Sequence, residues 1–103
     1  MKQKVIILPT GLRGGPGKNL KLDYILHFND TTRKQITIVA PHNNFRESVD
    51  IPARMKKIFL ILTRKSGYQN YIQGEDLYMT HSDFMNFSLK KFNNMKITDT
   101  FLD

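Results

Sequence analysis

Apolar residues fall on every second position along much of this chain, the period of strands with one buried face. Leu20, Leu22, Tyr24, Leu26 and Phe28 keep it without a break. Ile36, Ile38 and Ala40 resume it after Asn29-Asp30-Thr31-Thr32, a cluster of turn-forming residues. The stretches 20–28 and 35–40 therefore predict an antiparallel hairpin with Arg33-Lys34 near its tip. Lys4 to Leu8 predicts a short buried strand that Pro9 stops. Phe45, Val49 and Ile51 alternate as far as Pro52, with Glu47 spoiling the apolar face. Ile58 to Leu62 is apolar on both faces, as a central strand covered on both sides would be. Lys56-Lys57 and Arg64-Lys65 bracket that run, as gatekeeper charges flank aggregation-prone strands.

The second half is read the same way. Gly67 marks a turn, Tyr68 to Gln73 reads as a strand closed by Gly74-Glu75-Asp76, and Leu77 to Thr80 as another short strand. From Ser82 the period is ambiguous. Met85, Phe87 and Leu89 alternate, yet Ser82-Asp83 is a good helix start, Lys90-Lys91 suits a helix end and Asn93-Asn94 a stop. We read a helix over 83–92, and Lys96 to Leu102 as a last strand closing the sheet. The sum is a mostly β fold: a small barrel or sandwich of seven to eight short, mainly antiparallel strands with one short helix near the C-terminus. PUA-like, SH3-like and OB-like barrels share this character, as architectures and not as a guide to activity.

Length and composition bound the picture. With 103 residues, 40% of them hydrophobic, the chain reads as a single domain over 1–103. Cysteine is absent, which excludes a disulfide framework, a zinc ribbon and a thiol nucleophile. The longest apolar run, Ile58 to Leu62, is too short to span a bilayer. The opening MKQKVIILP is too short in its apolar stretch for a signal peptide. These features predict a cytoplasmic protein without a membrane partner. The net charge of +7 is unevenly spread: residues 1–65 carry +9 and residues 66–103 carry −2. Such a split points to a basic face for a polyanionic partner, although solvation alone also explains many basic proteins.

The Gly-rich stretch Gly11-Leu12-Arg13-Gly14-Gly15-Pro16-Gly17-Lys18-Asn19 is not a phosphate-binding loop of the NTPase kind. Leu12 stands where that motif needs its first Gly, and Asn19 where it needs a hydroxyl. Its backbone and its cations Arg13 and Lys18 can still approach an anion closely, and the plainer reading is a connector between strands. A second candidate is Arg64-Lys65-Ser66-Gly67-Tyr68-Gln69-Asn70-Tyr71. It combines cations for a phosphate backbone with tyrosines for stacked bases; ordinary hairpin tyrosines are the alternative. Pro41-His42-Asn43-Asn44 reads as a turn with some capacity for recognition. The histidines His27, His42 and His81 form no close pair of metal-ligand spacing, and the spacing points to no catalytic site. Phe84, Phe87, Phe92 and Phe101 read as core.

The expectation is a non-catalytic, regulatory nucleic-acid-binding protein. Single-stranded RNA is favoured over DNA, because no basic recognition helix for a major groove is visible. Its expected contacts are Arg13, Lys18, Arg33, Lys34, Lys56, Lys57, Arg64 and Lys65 on phosphates, with Tyr68 and Tyr71 stacking, and no metal or cofactor. A protein-interaction adaptor or inhibitor with an acidic partner, such as an accessory protein of a mobile element, is the alternative. A small ribonuclease is the third.

Overall fold

The computed structural model describes residues 2–14, 17–41, 50–68, 72–89 and 95–102. The hairpin is present as read. β2 (Leu20–His27) and β3 (Arg33–Ala40) pair antiparallel from Leu20 opposite Ala40 to His27 opposite Arg33. Between them Phe28 and Thr32 close a turn: the Phe28 amide donates to the Thr32 carbonyl at 2.9 Å, and Asp30 Oδ1 accepts the Thr32 amide at 2.9 Å. Thr31 sits at φ 74°, which a β-branched side chain rarely tolerates.

β1 (Gln3–Arg13) is longer than its sequence predicts, because Pro9 does not stop it. The paired stretch of β5 (Asp76–Met79) reaches only Gln3 to Val5 on β1. Among the described residues, β1 therefore carries no ladder on that side at Pro9, where a missing N–H costs least. The register then slips between Pro9 and Gly11. This bulge reverses the phase of the strand. Val5 and Ile7 face the core before it, and Leu12, opposite Leu22, faces the core after it. β4 (Ile72–Gln73) and β6 (Lys96–Leu102) complete one sheet in the order β4-β5-β1-β2-β3-β6, every pairing antiparallel.

The sheet is open, and six strands are described. The predicted barrel or sandwich of seven to eight strands is corrected on both counts. The largest departure is residues 58–62. They are not a central strand but part of α1 (Ile51–Thr63). Ile51, Met55, Ile58, Phe59 and Leu62 recur at helical spacing, and the Asp50 carboxylate caps the start by accepting the Ala53 amide at 3.2 Å. Pro52, read as a stop, occupies the first helical turn, where its missing N–H costs nothing. A wide π-type turn, Arg64–Tyr68, ends the helix at Gly67, whose φ of 93° suits glycine. The predicted strand over 45–51 lies mostly outside the described residues, as do His42, Asn43 and Asn44 of the Pro41 loop.

The C-terminal helix is shorter than expected. α2 spans His81–Met85, with Thr80 as its cap in a reciprocal capping box with Asp83. Phe87 follows it in irregular chain and is still buried. Both helices and Phe87 contribute to one core on one face of the sheet: Met55, Phe59, Leu62 and Phe84 join Val5, Ile7, Leu22, Tyr24, Leu26, Ile36, Ile38, Leu77 and Met79. The Tyr24 ring lies 4.9 Å from Phe59, and its hydroxyl donates to the Met55 carbonyl at 2.9 Å. Burial raises the Tyr24 phenol pKa well above its ordinary value. Lys34 also points to this face and is only 4% exposed. Its ammonium donates to the Phe87 carbonyl at 2.8 Å and to Asp99 at 3.0 Å, and lies 4.5 Å from the Phe101 ring centroid.

Replacing Lys34 by Ala is expected to destabilise the protein by about 3 kcal/mol in urea unfolding, since it strands a carboxylate and a buried carbonyl. Tyr24→Phe removes a single neutral hydrogen bond and is expected to cost about 1 kcal/mol by the same measurement.

Candidate functional site

The opposite face of the sheet has no helix on it among the described residues. Its composition follows from the alternation of each strand and from the register between strands. At the β2–β3 turn end, Ile6, His27, Arg33 and Leu102 stand side by side across β1, β2, β3 and β6. The next row is Leu8, Ile25, Gln35 and Thr100, and the next Gly11, Asp23, Thr37 and Thr98. The last is Arg13, Lys21, Val39 and Lys96. On the other side of β1, Tyr78 of β5 stands opposite Lys4.

Along β1 this face carries exposed apolar residues between two cations, Lys4 and Arg13. Ile6 and Leu8 are 48% and 41% exposed, beside the half-buried Ile25. Arg13 and Lys21 stand directly opposite each other, a repulsive arrangement for like charges. Asp23 relieves it. Arg13 Nε and Nη2 donate to its two carboxylate oxygens at 2.9 and 3.1 Å, and Thr37 Oγ1 donates to Oδ1 at 2.8 Å. Arg13 keeps 60% of its side chain in solvent, while Lys21 and Lys96 are exposed.

At the turn end, a shallow recess of roughly 600 Å³ is lined by Ile6, His27, Phe28, Asn29, Thr31 and Arg33. His81 approaches the same turn, its Nε2 2.6 Å from Asp30 Oδ2 and its ring edge-on to Phe28 at 5.4 Å. His81 is the first residue of α2, whose cap is Thr80. Hydrogen bonds from Thr32, and then the His81 charge, hold the Asp30 carboxyl below the usual carboxylate range. Among the described residues no group of three or more His, Asp or Glu side chains could hold a metal ion.

The residues expected to form one basic surface are divided among several places. Arg13 and Arg33 stand on the open face, and Lys18 lies in the β1–β2 turn at its basic end. Lys57, Arg64 and Lys65 are exposed on α1 and the turn after it, in the helical layer on the far side of the sheet. Lys56, on the same helix, is 3.9 Å from Asp76, which also pairs with Lys4 at 3.3 Å. Lys34 is committed to the core, as described above, and presents no head group to a phosphate. The Tyr68 ring packs 5.1 Å from Phe87 and its hydroxyl accepts the Ser88 amide at 3.4 Å. Tyr71 lies outside the described residues. Lys4, Lys21 and Lys96 belong to the open face and were passed over in the sequence, although each alternates with core-facing neighbours. The signal was the strand period itself, read for its polar phase.

These features define a class of protein, a two-layer domain with helices on one face of an antiparallel sheet and, among the described residues, none on the other. Comparison with protein-family models, with curated proteins and with solved structures finds no match. No helix among the described residues is long and apolar enough to cross a membrane.

Asp30 gives a pH dependence of known sign. Its folded pKa is lowered, so its stabilising contribution is complete above the ordinary carboxylate value near about 4. That contribution is lost as pH falls through the lower folded value. Asp30→Asn is therefore expected to lower the melting temperature at neutral pH, with the gap to the parent protein closing in strong acid. Thermal melts of both proteins across the acid range check this.

Proposed function

We propose that the protein binds nucleic acid, single-stranded RNA in preference to DNA, across the open face of its sheet. The observation that carries the reading is the register: it puts cations from separate strands on the same face as the exposed Ile6 and Leu8. A single strand needs cations for its phosphates and flat or apolar surface for its bases. Arg13, Lys21, Lys96 and Arg33 would meet phosphates, with Lys4 at the β5 side. Ile6, Leu8, Ile25, His27 and Tyr78 would meet bases. The helical cations Lys57, Arg64 and Lys65 lie on the other side of the sheet and play no part in this contact. No nucleophile or metal is required, and the role is occlusion of a transcript.

One observation favours a second reading. The exposed apolar side chains of the face are aliphatic where a stacking platform would carry rings, and Ile6 with Leu8 resembles the apolar heart of a protein interface rimmed by charge. An adaptor or inhibitor that docks an acidic protein here is that reading.

Fluorescence anisotropy with labelled mixed-sequence oligomers separates the two. Single-stranded RNA is expected to bind, with affinity falling steeply between about 50 and 200 mM salt. Lys21→Glu/Lys96→Glu is expected to weaken binding at least about tenfold and flatten the salt dependence. Lys57→Glu/Arg64→Glu on the helical side is expected to stay within about twofold. A larger loss in the helical variant would move the site to α1. An absence of binding at the lower salt would leave the protein-docking reading.

A further inference from the structure

The two edges of the sheet are unequal. β4, at one edge, is two residues long and is followed at once by the Gly74 turn. β6, at the other, runs for seven residues, and no described strand pairs with its outer side. It holds its register with β3 from Lys96 to Leu102 without a bulge, and it contains neither Pro nor Gly. A long regular edge presents a row of unpaired N–H and C=O groups, and proteins usually blunt such edges with charge, Pro or a bulge. The acidic residue in the middle of β6 gives no such protection, because the Asp99 carboxylate is turned to Lys34 at 3.0 Å. Phe101, one pair from the strand's end, is 44% exposed.

The sequence of this edge complements itself. Ile97-Thr98-Asp99-Thr100-Phe101 is a palindrome in side-chain character. We propose that β6 is a dimerisation strand, through which two copies of this chain pair antiparallel about a two-fold axis at Asp99. That register places Thr98 of one copy opposite Thr100 of the second, and Ile97 opposite Phe101. Hydroxyl pairs and aromatic–β-branched pairs are both favourable cross-strand neighbours. It also uses the whole strand, with Lys96 opposite Leu102. Moving the axis by one residue either way sets the short Asp99 side chain opposite Ile97 or opposite Phe101 and leaves residues at one end of the strand without a partner. The one repulsive pair in the proposed register is Asp99 against Asp99. Each brings its own Lys34, so the centre of the interface is a neutral cluster of two carboxylates and two ammonium groups.

The axis runs perpendicular to the sheet, so the two open faces lie on the same side and adjoin. This inference stands independently of what that face binds. A strand edge and its flanking side chains bury less surface than stable dimers do, so the association is weak and depends on concentration.

Sedimentation velocity on the full chain tests it. The weight-average mass is expected to rise from that of the 12.0 kDa chain towards twice that value between about 10 µM and 1 mM. Thr98→Lys/Thr100→Lys puts lysines opposite each other across the axis at exposed positions, and is expected to remain monomeric with an unchanged circular dichroism spectrum. The chain contains no cysteine, so the register can be read directly. Thr98→Cys and Thr100→Cys proteins, mixed and mildly oxidised, are expected to form the mixed disulfide, while each alone crosslinks poorly. A monomer at every concentration would overturn the proposal and leave the edge to a strand from another protein. So would a dimer that survives the lysine pair, or a Thr98→Cys protein that crosslinks efficiently with itself.

Discussion

The fold depends on one contact: α1 laid across one face of the sheet. Phe59 packs on Tyr24, and the Tyr24 hydroxyl reaches the Met55 carbonyl. Both are buried, so the contact combines apolar burial with a hydrogen bond made out of water. Phe87 stacks on Phe59 at 6.1 Å, and Phe84 stacks on Phe28 at 5.0 Å. This line of rings joins the helical layer to the central strands. It also makes the described structure asymmetric, because its helices lie on one face of the sheet and none of them on the other.

Charge inside the structure is arranged to hold that asymmetry. Lys34 sits at a core-facing position of β3, where an aliphatic residue would satisfy the strand period. Its ammonium reaches past the sheet to the carbonyl of Phe87, in the irregular chain after α2, and to Asp99 of β6. One side chain thus ties together three segments distant in sequence. On the other face, Arg13, Asp23 and Thr37 make the corresponding link across β1, β2 and β3. Arg13 can take part because of the bulge between Pro9 and Gly11. Without that slip the phase of β1 would turn Leu12 to solvent and Arg13 to the core.

Local period explains which elements were legible. The β2–β3 hairpin, β5 and β6 could be read because alternation and turn residues agree there, as at Leu20 to Phe28 followed by Asn29-Asp30. α1 was missed because Ile58 to Leu62, taken alone, is equally a buried strand and a turn of buried helix. The deciding residues lie upstream, in Asp50 as a cap, Pro52 in the first turn and Met55 one turn before Phe59. Pro9 misled in the opposite sense. A proline stops a strand where a neighbouring strand needs its N–H, and β5 does not extend that far along β1. Which cations share a face was not legible. The basic first half of the chain supplies most of the cations, yet the sheet sends Lys34 inward and separates Lys57, Arg64 and Lys65 from Arg13 and Arg33.

By itself the sequence determined a small, basic, cysteine-free chain built largely of antiparallel strands, and the hairpin at its centre. Those properties follow from composition and from contacts between near neighbours along the chain. Tertiary structure decided that the sheet stays open, that residues 51–63 coil into its covering layer, and which cations share a face. Each of these depends on strand order and register, as when β6 docks beside β3 to place Lys96 in line with Lys21 and Arg13. Pairings between residues this far apart leave no period in the chain, because they are set by which surfaces can be buried together.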